Sequence, residues 1–91
     1  MRTVRLVAEP SLTIYTASWC VPWRLVEKQL GEALSRVVLV NVDEDPDAAD
    51  QARVAVLPTV VARFKNGSET RRTGAISAQE VLGLLERVHE G

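Results

Sequence analysis

The chain has 91 residues, 46% of them apolar and 25% charged, with 11 basic against 12 acidic side chains. That length sets a single domain over residues 1–91, and a near-neutral balance without a basic stripe speaks against nucleic-acid binding. A lone cysteine, Cys20, excludes an intramolecular disulfide framework and fits a reducing, cytoplasmic setting. No apolar run has the length of a signal-peptide core or a membrane span.

Taken in order, Thr3 to Ala8 is aliphatic and β-branched, and Pro10 ends it. Only three residues separate it from the next apolar run, too few for a parallel crossover. Residues 1–11 are therefore either an edge strand paired antiparallel or a loosely attached segment. Leu12 to Thr16 reads as a central strand covered on both faces. Pro22 to Leu34 reads as an amphipathic helix: Pro22 suits its first turn, Leu25, Val26, Leu30, Ala33 and Leu34 form its apolar side, and Gly31 weakens it modestly.

Val37 to Val42 is the most apolar run and reads as a buried strand. In the acidic stretch that follows, Asp45 is an N-cap, Pro46 the first helical residue, and Asp47 a match for the positive helix end. A short helix runs to about Arg53 with Ala48, Ala49 and Ala52 packed inward. Val60 to Phe64 is a strand, Asn66-Gly67 a two-residue hairpin turn, and Ser68 to Thr73 a polar edge strand. Arg71 and Arg72 belong to its solvated face. Ser77 and Glu80 form a capping box that opens a last helix with Val81, Leu82, Leu84, Leu85 and Val88 on its apolar side. Parallel βαβ at the front and a hairpin at the back give an α/β chain, one mixed sheet of four to five strands with helices on both faces.

The chemistry sits in Ala17-Ser18-Trp19-Cys20-Val21-Pro22-Trp23, at the junction of a strand and a helix. A helix N-terminus favours a thiolate, while the apolar neighbours Trp19, Val21 and Trp23 oppose it. Cys20 has two readings, a reactive thiol or a small buried hydrophobe. Trp19 and Trp23 form an aromatic lip for an apolar substrate, or Trp23 plugs the space beside the helix and shields Cys20. The acidic residues 43–47 lack the glycine and terminal glutamate of a calcium loop, and one cysteine with one histidine makes no zinc site, so no metal is expected. His89 reads as a solvated residue at a helix C-terminus.

Four features, in order, resemble the thioredoxin family: Trp19-Cys20-Val21-Pro22-Trp23 at the redox motif, Asn41-Val42-Asp43 closing the next strand, Leu57-Pro58-Thr59 at the cis-proline segment, and Phe64-Lys65-Asn66-Gly67 with Gly74-Ala75 behind it. The resemblance spans roughly Leu12 to Val88. It implies a thioredoxin-like three-layer sandwich whose first helix is missing, a cis bond before Pro58, and a substrate strand held by Leu57, Pro58 and Thr59 beside Trp19, Val21, Pro22 and Trp23. The departures from the pattern are specific. Trp23 stands where the resolving cysteine belongs, Val21 replaces the motif glycine, Ile14 replaces a buried aspartate, and Leu39 replaces its lysine partner.

Thiol–disulfide exchange needs one thiolate to attack and a second to resolve the mixed disulfide. Cys20 can supply the first step and Trp23 cannot supply the second. The expectation is a monothiol oxidoreductase acting on disulfide-containing or thiol-capped proteins or small molecules. It needs no resident cofactor, but an external low-molecular-weight thiol or a partner thiol completes the cycle. The rival expectation is a redox-inactive protein of the same fold that binds a partner through the motif–proline groove. An iron–sulfur bridging role, as in some monothiol glutaredoxins, calls for small residues where Val21 and Trp23 stand. The sequence sets no oligomeric state.

Overall fold

The computed structural model describes residues 9–90. The expected strand at residues 3–8 lies outside them. Four strands form one sheet: β1 (Ser11–Thr16), β2 (Val38–Asn41), β3 (Thr59–Arg63) and β4 (Glu69–Thr73), in the order β2-β1-β3-β4. β2 runs parallel to β1, while β3 is antiparallel to β1 and β4 antiparallel to β3. Three α-helices accompany them, α1 (Val21–Leu30), α2 (Pro46–Gln51) and α3 (Ala78–Val88). The α/β class and the mixed sheet are those read from the sequence.

Strand period and helix period meet in one core. Leu12, Ile14 and Thr16 alternate onto the buried face of β1, and the register sets Ile14 against Val60 and Leu12 against Ala62 on β3. Trp23, Val26 and Leu30 of α1 and Val81, Leu84, Leu85 and Val88 of α3 close over that face. The spacing of each set is the 3.6-residue period of one helix face. β1 is thus fully buried on one side and half-buried on the other, where Thr13 and Tyr15 lie.

Four expectations change. The helix after the motif ends at Leu30 instead of Leu34, because Gly31 takes a φ of 54° and a ψ of −122°. Glycine reaches that conformation readily and other residues do not, so Gly31 terminates the helix, and a 3-10 segment (Gly31–Arg36) follows. Leu25 and Leu82, both counted as apolar-face residues, point outward. The Val37–Val42 run is also not a buried strand. β2 is the outer strand among the described residues, with Val38 51% and Leu39 43% exposed. Burial of a strand depends on what lies on either side of it, which its own composition does not record.

The hairpin is wider than two residues. Arg63 pairs with Glu69, and between them the Phe64 N–H donates to the Ser68 carbonyl and the Gly67 N–H to the Phe64 carbonyl. The Asn66 carboxamide oxygen takes the Ser68 N–H at 2.9 Å. The two acidic and serine caps behave as read: Asp45 accepts from the Ala48 N–H at 3.2 Å, and Ser77 and Glu80 bond reciprocally as a capping box. Glu80 also pairs with Arg72, so β4 is tied to the first turn of α3. The Ser77 backbone N–H, and next the Arg72 guanidinium, hold the Glu80 carboxyl below its ordinary value of 4.5.

Candidate functional site

Topology alone brings the candidate residues to one end of the sheet. The motif loop leaves the C-terminal end of β1. Since β3 is antiparallel to β1, the Pro58 end of β3 starts there, with Thr59 opposite Tyr15. β2 is parallel to β1, so Asn41, Val42 and Asp43 emerge at the same end, where the Val42 N–H donates to the Thr16 carbonyl at 2.8 Å. β4 also finishes there, and the Gly74 N–H donates to the Pro58 carbonyl at 3.0 Å.

Cys20 is the residue that caps α1. Its N–H donates to the Ala17 carbonyl at 3.0 Å and its carbonyl accepts from the Arg24 N–H at 3.2 Å. No side chain bonds to the orphan N–H groups of that first turn, and Pro22, within it, has none to offer. The Cys20 side chain is free of any disulfide and only 3% exposed. That degree of burial suits the second of its two readings, and Cys20 belongs to the same buried cluster as Trp23.

The two tryptophans have separate fates. Trp23 is 2% exposed and sits on the inner face of α1 with Val26 and Leu30. Of the two readings offered for it, the plug beside the helix holds, and it does not form part of a lip. An indole at that place brings several times the volume of a thiol, and close packing leaves it nowhere to go but the core. Trp19, by contrast, is 63% exposed, and its Nε1–H donates to Asp43 Oδ2 at 2.8 Å. Asp43 is itself fixed, because its N–H donates to the Asn41 side-chain oxygen at 2.9 Å. Sequence reasoning assigned the whole acidic run to helix capping and missed this bond. Asn41-Val42-Asp43 closes a strand parallel and adjacent to the one that feeds the motif, an adjacency that the sheet order supplies.

On the opposite side, the Leu57–Pro58 peptide bond is cis. Pro58 and Thr59 are fully buried, and the Thr59 hydroxyl donates to the Val56 carbonyl. Leu57 is half-buried, and Val56 is exposed. Between the two sides lies an apolar groove of about 320 Å³ lined by Trp19, Val42, Ala49, Val54, Ala55 and Leu57. A second hollow, about 520 Å³, opens on the β2 side past Trp23, Arg24, Leu39 and Glu44. Cys20 lines neither.

Neither of the two positions at which the resemblance places the aspartate and its lysine partner carries a titratable side chain. Ile14 is completely buried where the resemblance places an aspartate, and Leu39 is half exposed where it places a lysine. The buried polar residues among those described are Thr16 and Thr59, neither of which titrates in this role. Among the described residues no group of three His, Cys, Asp or Glu could hold a metal ion, and no helix is long and apolar enough to cross a membrane.

No protein-family model matches the chain. Individual proteins do. The thioredoxin of Synechocystis sp. is 32% identical over 85 residues, covering 86% of this chain and 78% of that protein. The thioredoxin of Pseudomonas aeruginosa is 30% identical over 84 residues, covering 85% of this chain and 77% of its own length. Among solved structures, a single-site mutant of the thioredoxin of Halobacterium salinarum superposes with a TM-score of 0.72 at 26% identity, over 91% of this chain and 77% of that one.

Proposed function

The chain belongs to the thioredoxin family, and from that membership and the geometry of its site we propose that it is a thiol–disulfide oxidoreductase working by a monothiol route. The observation that carries the reading is the convergence of Cys20, at the N-terminus of α1, with the Leu57-Pro58-Thr59 segment at one end of the sheet. Cys20 is the nucleophile. Its thiolate attacks one sulfur of a mixed disulfide, the Cys20–sulfur bond forms as the S–S bond breaks, and the leaving thiolate takes a proton from water. A second, external thiolate such as that of glutathione then attacks the Cys20 mixed disulfide, releasing Cys20 and a new low-molecular-weight disulfide. Trp23 has no sulfur, so the second step cannot be intramolecular.

The free backbone N–H and C=O of Leu57 suit an extended substrate strand, which is the edge-addition mode of peptide recognition. Trp19 and Val21, both exposed, frame that strand, the buried Thr59 anchors the start of β3 behind it, and Pro22 sets the helix start beneath it. The substrate is accordingly a disulfide-bearing or thiol-capped protein or small molecule. A single thiol without an intramolecular partner fits a reducing compartment such as the cytoplasm. The chain acts as one domain and carries no resident cofactor.

The test uses a glutathionylated peptide with glutathione as reductant. Turnover is expected for the wild-type chain, with a Cys20–glutathione adduct visible by mass spectrometry, and Cys20→Ser is expected to abolish both. No turnover and no adduct under these conditions overturns the proposal. The burial of Cys20 and the apolar Ile14 and Leu39 favour a second reading, a partner-binding module that keeps the groove without the chemistry. Peptide capture that survives Cys20→Ser, in a chain without turnover, selects that module instead.

A further inference from the structure

We propose that Arg71 is a positioning residue for substrate selection, acting from the outer strand β4 through the segment that leads to Pro58; this rests on the oxidoreductase reading above. The Arg71 Nη1–H donates to the Arg53 carbonyl at 3.1 Å and its Nη2–H to the Ala52 carbonyl at 2.5 Å. These two carbonyls lie just beyond the end of α2. Carbonyls at a helix C-terminus lack intrahelical donors and carry the negative end of the helix dipole, and a guanidinium fork supplies two donors and a fixed charge together. The last turn of this six-residue helix is also closed by its own backbone, the Ala52 N–H donating to the Ala48 carbonyl at 3.1 Å and the Arg53 N–H to the Asp50 carbonyl at 3.0 Å, so the fork adds to a short ladder.

Arg53 holds the second clue. Its φ is 57°, the left-handed region that is uncommon for a non-glycine residue, taken here at the C′ position of a Schellman-type helix end. This turn redirects the chain: the Val54 N–H reaches back to the Ala49 carbonyl at 2.9 Å, and Val54, Ala55 and Leu57 then form the groove wall that faces Trp19. At its far end the same segment is held by Gly74, whose N–H meets the Pro58 carbonyl. Arg71 and Gly74 are three residues apart on β4 and the turn after it. One polar strand therefore braces both ends of the wall, while Arg71 is not among the residues that line the groove. The spacing across the groove, and with it the fit of an extended peptide between Trp19 and Leu57, depends on that brace. A small mixed disulfide, which spans only the cysteine, does not use it.

The experiment compares two substrates, a glutathionylated peptide and the mixed disulfide of glutathione with 2-mercaptoethanol, in wild type, Arg71→Leu and Arg71→Lys. The expected result is a KM for the peptide raised about fivefold or more in Arg71→Leu, with kcat and the small-substrate KM within about twofold of wild type. Arg71→Lys, with a single ammonium in place of the fork, falls between. Adding Arg53→Asn to Arg71→Leu recovers part of the loss, since asparagine tolerates the left-handed turn. Amide exchange is read alongside: the Val54 N–H is expected to exchange faster in Arg71→Leu while the β3 amides keep their protection. Equal losses on both substrates, or an unchanged peptide KM, overturn the selection role. An unchanged Val54 exchange rate overturns the brace. A wild-type chain without turnover overturns the oxidoreductase reading and leaves the exchange measurement to decide the brace on its own.

Discussion

The two sides of the groove carry different kinds of support. The motif side rests on a helix start, one hydrogen bond from Trp19 to an exposed carboxylate, and the bulk of Trp23 in the core. The proline side is woven into the sheet: Thr59 pairs with both Tyr15 and Thr73, its hydroxyl bonds to the preceding turn, and Gly74 secures Pro58. Packing governs the first and hydrogen bonding the second. The contrast also separates what this chain has altered from what it has kept. Of its departures from the thioredoxin pattern, Val21 and Trp23 lie on the motif side, Leu39 on β2, and Ile14 on the central strand opposite Val60 of β3, while the resemblance holds at Leu57-Pro58-Thr59.

The largest expected effect comes from emptying the motif side. Trp23→Ala should lower stability by about 3–5 kcal/mol, the range for removing a buried aromatic, which is a large part of a small domain's total. A urea midpoint shifted by less than the equivalent of about 0.5 kcal/mol would place Trp23 on the surface and erase the contrast. On the proline side the matching change is smaller. Thr59→Val keeps the shape and removes the bond to the Val56 carbonyl, so a loss of about 1 kcal/mol is expected, with amide exchange quickened near Val56 and Leu57 but not in α1. An effect spread equally over both sides would mean that they are one unit.

The smallest effect concerns the brace behind the proline side. Glu80 has a folded-state pKa below its ordinary 4.5, held down by the Ser77 N–H and Arg72. Its contribution is therefore complete above about pH 4.5 and is lost as the pH falls through the lowered folded value. Glu80→Gln should have a shallower acid limb of stability than wild type below that pH, and the two should run parallel above it. Denaturation midpoints measured across that range would show it, and identical acid limbs would sever Arg72–Glu80 from the account.

Much of this was legible from residues alone. The strand–helix junction at Cys20 and the caps at Asp45 and Ser77 depend on local backbone rules, in which a residue acts on neighbours within one turn, while the proline segment was legible through the family resemblance. Trp23 was legible only as a pair of alternatives, because an indole is both a large hydrophobe and a binding surface. The bond from Trp19 to Asp43 and the reach of Arg71 to Ala52 and Arg53 were not legible. They join residues 24, 18 and 19 positions apart, and the separation in space is set by sheet order. Gly31 was undervalued for a related reason: composition shows a weak helix former, and only the backbone shows a glycine-restricted stop.

The sequence by itself determined which segments are strands and helices, that one thiol sits at a helix start with no second sulfur in reach, and that the family pattern is kept at Pro58. The first two properties follow from periodicity, capping and the count of cysteines, all of them local or additive, and the third from the family resemblance. Tertiary structure decided that Cys20 is covered, that Trp23 fills the core, that β2 lies outermost among the described strands, and that a polar edge strand braces the groove. Burial and long-range hydrogen bonds are set by which elements become neighbours, and the parallel and antiparallel pairings of β1 with β2 and β3 fix that.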